Sequence, residues 1–564
     1  MLGIRSIGNG GQFMNFDVVV VGGGIAGLTS AAFLCKSGYK VLLCEKEKKT
    51  GGLVNSFDFK GFTFDGGIRA IENSGIVIPM LRQLGIDIEF VKNDVSIGIE
   101  KNILRLESRD SLLDYQNLLI TEFPEDKEEI QAIIIEVKRV MTYMDILYGI
   151  DNPVFLDLKN NKEYLYKTIL PWVFKYITTS KKVFKLTEPI DDYLKKFTEN
   201  TRLIDMIAQH FFKKTPAFFA LSYFSLYLDY QYPKGGTGVM TEKLEDFILA
   251  NGGEIRANTS VCRVDPQNKS VEDLSSNIYH YKKMIWTSDL KFLYEIMDID
   301  GLENTGVKHK AIAQKNAVSD KIGGDSILTV YVTLDMDKSY FEEICSAHFF
   351  YTPKKKGLST IDLQSLMIKA NEGDQAGFAD NQQILTEDKQ ILTENKQILM
   401  DWLRQFYELT TYEIACPVMR DENLAPRGKT GLIISTLMDY ALVKHISTLG
   451  WYDSFKKFSE ETIIDILDQA IFPGMKAQII DRFSSTPLTL ESRTGNSQGA
   501  ITGWAFTNSD IPVVHSMPKI AQSVLTPLPD IFQAGQWTFS PSGLPISILT
   551  GKLAADKVKR QLKK

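Results

Sequence analysis

Residues 16–45 read FDVVVVGGGIAGLTSAAFLCKSGYKVLLCE, and this stretch decides the fold. Its first six residues form a valine-rich run, which is typical of a strand buried on both faces of a parallel sheet. A glycine turn over 22–27 leads into a predicted helix over 26–37, which Gly38 ends. Residues 40–44 predict a second buried strand that closes on Glu45. Strand, glycine turn, helix and strand within about 30 residues predict a βαβ unit.

The turn follows the spacing Gly-x-Gly-x-x-Gly. Gly22 allows the tight turn, Gly24 lets the backbone approach a pyrophosphate, and Gly27 lets the helix pack against the strand. Free N–H groups and the positive end of the helix dipole attract the phosphate charge. Glu45, 18 residues after Gly27, is placed to accept hydrogen bonds from a ribose hydroxyl. The pattern therefore predicts dinucleotide binding, and the alternative is a packing turn without a ligand.

Composition excludes several other classes of protein. The 564 residues predict two or three domains, and a net charge of -6 gives no basic field for nucleic acid. Five scattered cysteines and six histidines without ligand spacing predict neither a disulfide framework nor a metal site. No signal peptide and no spanning helix is predicted, so we expect a reducing, cytoplasmic location.

Further glycine-rich stretches extend the pattern along the chain. Gly51 and Gly52 precede FTFDGG at 62–67, and later stretches read YPKGGTG at 232–238, DENLAPRG at 421–428, QAGQW at 533–537 and SPSGLP at 540–545. In this order they resemble the flavoproteins of the amine oxidase and phytoene desaturase superfamily. The resemblance is greatest to the carotenoid desaturase branch, which includes carotenoid isomerases and retinol saturases.

The resemblance implies an α/β fold, with a Rossmann-like FAD-binding domain of the amine-oxidase type and an inserted α+β substrate domain. The FAD-binding domain would be assembled from residues 1–110, 231–300 and 501–564. Residues 111–230 would form a helical insertion facing substrate or membrane, and residues 301–500 the substrate domain.

The resemblance also implies cofactor contacts. Val261 would meet the adenine through its backbone, Gly535 would approach the pyrophosphate or ribityl chain, and residues 542–545 would lie against the isoalloxazine. The helix start there would stabilise negative charge on the reduced ring. The predicted FAD-binding residues are Gly22, Gly24, Ile25, Ala26, Gly27, Glu45, Lys46, Gly51, Gly52, Val261, Gly535, Gln536, Gly543, Leu544 and Pro545.

The implied reaction is hydride transfer between flavin N5 and a C–H or C=C bond of a long apolar, carotenoid-, isoprenoid- or retinoid-like substrate. Desaturase, saturase and isomerase remain open. Only one Gly-x-Gly-x-x-Gly turn is present, so an electron acceptor such as oxygen or a quinone is expected rather than NAD(P)H in its own domain. Arg69, Lys234 and Arg493 are candidate catalytic residues near the flavin or the substrate mouth, where an arginine can stabilise negative charge on the ring.

Two departures leave the substrate open. Gly67, Ile68 and Arg69 follow the Asp-x-Gly turn where carotenoid desaturases usually carry a proline, and a repeat over 382–400 predicts an unusual helical insertion. A flavin amine oxidase is one alternative on this fold. A second alternative is a non-enzymatic escort protein of small GTPases.

Aromatic residues concentrate in two segments that bear on the substrate. Residues 172–185 mix aromatic residues with lysine, and residues 216–230 read PAFFALSYFSLYLDY. One interpretation is a peripheral membrane patch beside the wall of an apolar tunnel. The other is a solvated lysine face and an ordinary buried helix.

Overall fold

The structure is a computed structural model that describes residues 14–156, 162–183, 185–361 and 388–563, with only the backbone for 388–395. In chain order the strands are β1 Met14–Val21, β2 Val41–Cys44, β3 Ser56–Phe59, β4 Phe62–Asp65, β5 Ile71–Glu72, β6 Phe90–Lys92, β7 Val95–Ile99, β8 Asn102–Leu106, β9 Tyr230–Pro233, β10 Glu254–Arg256, β11 Val261–Asp265, β12 Ser270–Asp273, β13 Ile278–Trp286, β14 Ser326–Leu334, β15 His348–Thr352, β16 Tyr412–Ala415, β17 Thr430–Met438, β18 Ile479–Ser485 and β19 Ile531–Gln533.

The α-helices are α1 Ile25–Cys35, α2 Val77–Leu84, α3 Ser111–Glu122, α4 Lys127–Tyr148, α5 Lys162–Tyr164, α6 Leu170–Val183, α7 Ile190–Leu194, α8 Thr201–Ala208, α9 Ala217–Asp229, α10 Val239–Ala250, α11 Leu290–Ile296, α12 Thr305–Ser319, α13 Lys338–Ile344, α14 Asp388–Leu409, α15 Tyr440–Thr448, α16 Tyr452–Ala470, α17 Pro487–Thr494, α18 Ile520–Ser523 and α19 Leu544–Leu562. Among the described residues, none of these helices is both long and apolar enough to cross a membrane.

The first sheet contains the predicted βαβ unit. Strands β10, β2, β1, β13 and β19 run parallel, and β12 and β11 extend the sheet antiparallel. Helix α1 packs against this sheet and against α19, and a Cβ at Gly551 would come within 2.6 Å of the Ala26 carbonyl oxygen. Between β10 and β11 the chain turns, and Asn258 and Thr259 donate their N–H groups to the carbonyls of Glu47 and Glu45.

The second sheet has the strand order β18, β14, β17, β16, β15, β7 and β8, and all its pairs are antiparallel except β15 with β7. Strands β7 and β8 come from within residues 1–110, so the first predicted FAD-binding piece contributes strands to both sheets. Helices α3, α4, α8 and α9 pack on one another beside β7 and form a helical layer. The first sheet, the second sheet and this helical layer together surround one cavity.

The predicted repeat helix is only partly described. Residues 382–387 of the predicted repeat lie outside the described residues, and residues 388–400 lie in helix α14. Ile398 is 46% exposed while Leu399 is buried.

Candidate functional site

The cavity has a volume of about 1080 Å³ and two kinds of wall. One wall is mainly backbone, from residues 22–26, 51–52, 535–536 and 540–547. The other wall is aromatic and is formed by Tyr148, Tyr176, Phe218, Phe219, Tyr223 and Tyr230. The segments interpreted as the wall of an apolar tunnel therefore line the same cavity as the glycine turn.

The glycine turn has the shape that its predicted roles require. Gly22 has φ +105°, which favours glycine, and a Cβ at Gly27 would lie 1.9 Å from the Gly22 carbonyl oxygen. A Cβ at Gly24 would meet nothing within 4 Å, because this residue faces the cavity. Gly24 is also the N-cap of α1, and no described side chain caps that helix. The first N–H groups of α1 are therefore left for a ligand.

Glu45 ends β2 on the cavity wall. Its carboxylate accepts the N–H of Gly23 at 2.7 Å and that of Glu47 at 2.8 Å. Burial raises the pKa of Glu45, and the two backbone hydrogen bonds oppose that shift. Each oxygen keeps a further lone pair for a hydroxyl donor.

Three predicted cofactor residues do not line the cavity. The Lys46 ammonium donates to the Ser492 carbonyl at 2.5 Å, and Gly27 is enclosed between α1 and β1. Val261 is buried at the start of β11, close to Glu45 through the hydrogen bond from Thr259 N–H to the Glu45 carbonyl at 2.7 Å. A role for Lys46 or Val261 in adenosine binding stays a prediction.

A second helix start opens on the same cavity. Helix α19 begins after Gly543, again with no cap from a side chain that the structure describes. The Ser542 hydroxyl is buried on this wall and has no hydrogen-bond partner in the described part of the chain. Gly535 has φ +99° and is held by the Thr550 hydroxyl at 2.9 Å. The predicted residues Gly535, Gln536, Gly543, Leu544 and Pro545 all line the cavity.

A buried ion pair lies between the two walls. Arg69 is 3% exposed, and its guanidinium donates to Glu413 at 2.9 Å and to the Ser435 hydroxyl at 2.6 Å. The other Glu413 oxygen is 3.2 Å from Nε2 of His348. The accessible part of the Glu413 side chain, 32%, faces the cavity.

The charges of this pair are fixed by its surroundings. Burial alone would raise the pKa of Glu413, but the charge of Arg69 and the contact with His348 lower the pKa to about 2. Burial lowers the pKa of His348, and Glu413 opposes that shift only in part. The cavity therefore holds a carboxylate that stays ionised beside a fixed guanidinium.

A second carboxyl group, Glu72, also lines the cavity. One of its oxygens is 4.0 Å from the position of a Cβ built on Gly543. Burial raises the pKa of Glu72 to about 7. Sequence analysis singled out neither Glu72, Glu413 nor His348, although a lone ionisable residue in the apolar strands HFFYT and YEIA is a usable signal.

The structure corrects the prediction for Lys234. Its ammonium is 46% exposed and pairs with Glu89 at 2.5 Å, and it does not line the cavity. The physical reason is that the turn after Lys234 closes on Asp65, which accepts the Thr237 N–H at 2.9 Å and so directs Lys234 outward. Arg69 and Arg493 do line the cavity, and their catalytic roles stay predictions.

Comparison with known proteins agrees with this geometry. A model described as an NAD(P)-binding Rossmann-like domain matches residues 20–84. Among solved structures, an oxidoreductase from Methanosarcina mazei superposes with a TM-score of 0.58 at 14% identity, covering 97% of this chain and 100% of that one. Putrescine oxidase bound to putrescine gives 0.56 at 12% identity, with the same coverage. The fold is therefore the α/β fold of amine-oxidase-type flavoenzymes, which confirms the predicted fold class.

Several relatives in sequence have names that refer to retinoids or carotenoids. An inactive all-trans-retinol 13,14-reductase of Danio rerio is 24% identical in a match that covers 64% of this chain and 58% of the reductase. The prolycopene isomerase of Daucus carota is 23% identical over 85% of this chain and 70% of the isomerase. A 4,4'-diapophytoene desaturase of Staphylococcus aureus is 22% identical over 97% of this chain and 99% of the desaturase. The predicted resemblance to carotenoid desaturases, isomerases and retinol saturases is thus confirmed.

Proposed function

We propose that this protein is an FAD-dependent oxidoreductase that transfers hydride between flavin N5 and a C–H or C=C bond of a long apolar, isoprenoid-like substrate. The observation that carries the proposal is the joining of two walls in one cavity. Two uncapped helix starts supply donors for an anionic cofactor, and a continuous aromatic wall receives a hydrocarbon. The names of the relatives, which refer to retinol, prolycopene and diapophytoene, support this substrate class.

The residues on the backbone wall fit FAD. The start of α1, with the open space at Gly24, would hold the diphosphate, and Glu45 would accept the ribose hydroxyls. The unpartnered Ser542 hydroxyl and the start of α19 would face the polar edge of the ring. When bound, FAD supplies the hydride chemistry, while the chain supplies placement and a dry site.

The aromatic wall determines what can enter beside the cofactor. Phe218, Phe219 and Tyr223 lie on α9, and Tyr148 and Tyr176 face them from α4 and α6. Such a wall binds hydrocarbon through apolar area and excludes water from the reacting bond. In the described part of the chain, the lysines that line the cavity are Lys48 and Lys49, near Glu45. A flavin amine oxidase would be expected to place a lysine near N5, and the described residues that line the cavity offer no lysine besides these two.

Helix α6 supports a peripheral membrane contact as part of the proposal. Tyr176, Ser180 and Val183 line the cavity, while Phe174 is 74% and Ile177 is 50% exposed on the same helix. Four exposed lysines lie in or just after the same helix, namely Lys175, Lys181, Lys182 and Lys185. An exposed apolar surface with a basic rim is typical of helices that lie in a lipid interface. A substrate could then pass from lipid to the aromatic wall beside one helix.

The membrane contact is tested by flotation of the protein with vesicles of neutral or anionic phospholipid. We expect binding that is strongest with anionic vesicles and is lost when Phe174→Asp and Ile177→Asp are combined. Leu249→Asp is the control, because Leu249 is 55% exposed on α10 and does not line the cavity. Equal binding by the double variant and the wild type would show that α6 is a solvated face.

The oxidoreductase proposal is tested first by the absorbance spectrum of the purified protein and by identification of any released cofactor. We expect released FAD, and reduction of the flavin or conversion of the substrate with prolycopene, 4,4'-diapophytoene or all-trans-retinol in detergent. Reduction of the flavin by putrescine and not by these polyenes would favour an amine oxidase. A colourless protein that FAD does not reconstitute would overturn the proposal in favour of an escort role.

A further inference from the structure

Glu72 ends the short strand β5 at the junction of the two cavity walls. On one side its carboxyl oxygen approaches Gly543, where residues 542–545 would lie against the flavin ring. On the other side β5 pairs with β9, which places Glu72 opposite Tyr230 of the aromatic wall. The carboxyl group therefore lies where the reacting part of a substrate would meet the ring.

The surroundings of Glu72 contain other acids and phenols. Asp229 at the end of α9 raises the pKa of Glu72 further, although its own carboxylate is engaged by the N–H groups of Asn73 and Ser74. Tyr148 faces Glu72 from α4, and Tyr223 and Tyr230 face it from α9 and β9. Among the described residues, no lysine or arginine forms an ion pair with Glu72, and no other side chain hydrogen-bonds to it.

Different environments give Glu72 and Glu413 different protonation behaviour. Arg69 keeps Glu413 ionised at every physiological pH, whereas burial without a cation leaves Glu72 able to gain or lose a proton near neutral pH. Two carboxyl groups of opposed protonation in one site are the usual arrangement for acid–base chemistry. Of these two groups, Glu72 is the one that can exchange a proton near neutral pH.

We propose that Glu72 is the group that takes up or delivers the proton that accompanies hydride transfer; this assignment rests on the proposed function. In desaturation, one substrate C–H bond breaks and its hydrogen leaves with the electron pair to FAD. A C–H bond on the neighbouring carbon breaks, its proton passes to the Glu72 carboxylate, and its electron pair forms the C=C bond. In saturation the same atoms move in reverse, with protonated Glu72 as the acid and reduced FAD as the hydride donor.

The first test compares Glu72→Gln with wild type on whichever of the three polyenes the wild type converts. General acid–base catalysis contributes about 100- to 10,000-fold, so we expect a rate loss of that order with FAD binding unchanged. The wild-type rate should rise with pH through about 7 for desaturation, because the base must be ionised, or fall through the same value for saturation. This limb of the pH profile should be absent in Glu72→Gln and partly restored in Glu72→Asp. Glu89→Gln, the same change outside the cavity, should leave the rate and the profile unchanged.

The second test does not depend on activity. Infrared difference spectra of the cofactor-free protein across neutral pH should show one protonated carboxyl band that titrates in wild type and is missing in Glu72→Gln. Wild-type rates and an unchanged pH profile in Glu72→Gln would overturn the assignment of Glu72 and leave the oxidoreductase intact. A titration of Glu72 in the ordinary acidic range would also overturn it. A wild type that binds no FAD would instead overturn the proposed function itself, so the two failures are distinguishable.

Discussion

Gly24 offers a test in which folding and cofactor binding respond differently. Its backbone has φ -69° and ψ 176°, which any L-residue adopts, and a Cβ built there meets no atom within 4 Å. The cofactor-free protein should therefore accept Gly24→Ala without strain. Replacing a glycine in a compatible conformation changes stability by about 0.4–1 kcal/mol in the favourable direction, through the unfolded chain.

Binding of FAD should respond in the opposite sense. The methyl group would occupy the space that the diphosphate needs at the start of α1, and inserting a methyl group into a filled site costs about 1–3 kcal/mol. This corresponds to a dissociation constant for FAD that is about 5- to 150-fold higher. We expect this weakening together with an unchanged or slightly raised thermal midpoint of the cofactor-free protein.

FAD binding is measured by titrating cofactor-free protein with FAD and monitoring the quenching of flavin fluorescence. Stability is measured by thermal unfolding of the same variants without FAD. Two glycine variants serve as controls. Gly306→Ala lies on α12 outside the cavity and should leave FAD binding unchanged. Gly27→Ala should destabilise the protein even without FAD, because its Cβ would clash with the Gly22 carbonyl at 1.9 Å. Wild-type affinity in Gly24→Ala would refute the inference that the diphosphate passes over Gly24.

Two further predictions concern buried polar groups. Glu413→Gln leaves the Arg69 guanidinium buried without its anion, so we expect a loss of about 3–5 kcal/mol in denaturant unfolding, partly recovered in Arg69→Met/Glu413→Gln. The folded protein lowers the pKa of Glu413 from 4.5 to about 2, so the ionised carboxylate stabilises the fold above pH 4.5 and this stabilisation should be lost as the pH falls toward 2. If the wild type loses stability in acid no more steeply than Glu413→Gln, this prediction is wrong. Ser542→Ala removes an unpartnered hydroxyl and should not destabilise the cofactor-free protein, but it should raise the dissociation constant for FAD about 2- to 10-fold; unchanged FAD affinity would place the ring elsewhere.

The βαβ unit could be predicted because all its signals are local. Strand, turn, helix and Glu45 lie within one continuous stretch, and the observed α1 differs from the predicted helix only at its ends. Gly535 and Ser542 are likewise carried by a short local stretch and line the cavity, while their contacts with a cofactor stay predictions. The packing role predicted for Gly27 follows from the same local pattern, because a Cβ there would lie 1.9 Å from the Gly22 carbonyl oxygen.

Lys234 shows where a motif misleads. The stretch that contains it was expected near the cofactor, and its glycines and Thr237 do pack against Asp65 of the FTFDGG stretch. The motif therefore joins two distant parts of the chain through hydrogen bonds to one carboxylate. Its lysine lies on the opposite side of that turn, and a sequence pattern does not state which side of a turn faces a cavity.

The groups that sequence analysis missed come together only through sheet topology. His348 and Glu413 lie on neighbouring strands of the second sheet, and helix α14 lies between them in sequence. Glu413 contacts both His348 and Arg69. Their strands read as ordinary buried segments until the pairing is known. Glu72 is closer in sequence to Arg69, but its raised pKa depends on its burial and on Asp229, which lies far away in sequence at the end of α9.

Arg69 connects these observations. In sequence it was a departure, an arginine after a turn where carotenoid desaturases usually carry a proline. In the structure its guanidinium donates to Glu413 and Ser435, and its backbone carbonyl accepts from Arg420. Arg69 therefore links the segment that follows FTFDGG to the second sheet. Its charge ionises Glu413 and is not shared with Glu72. The departure from the family pattern thus determines which carboxyl group of the cavity is a permanent anion and which remains free to exchange a proton.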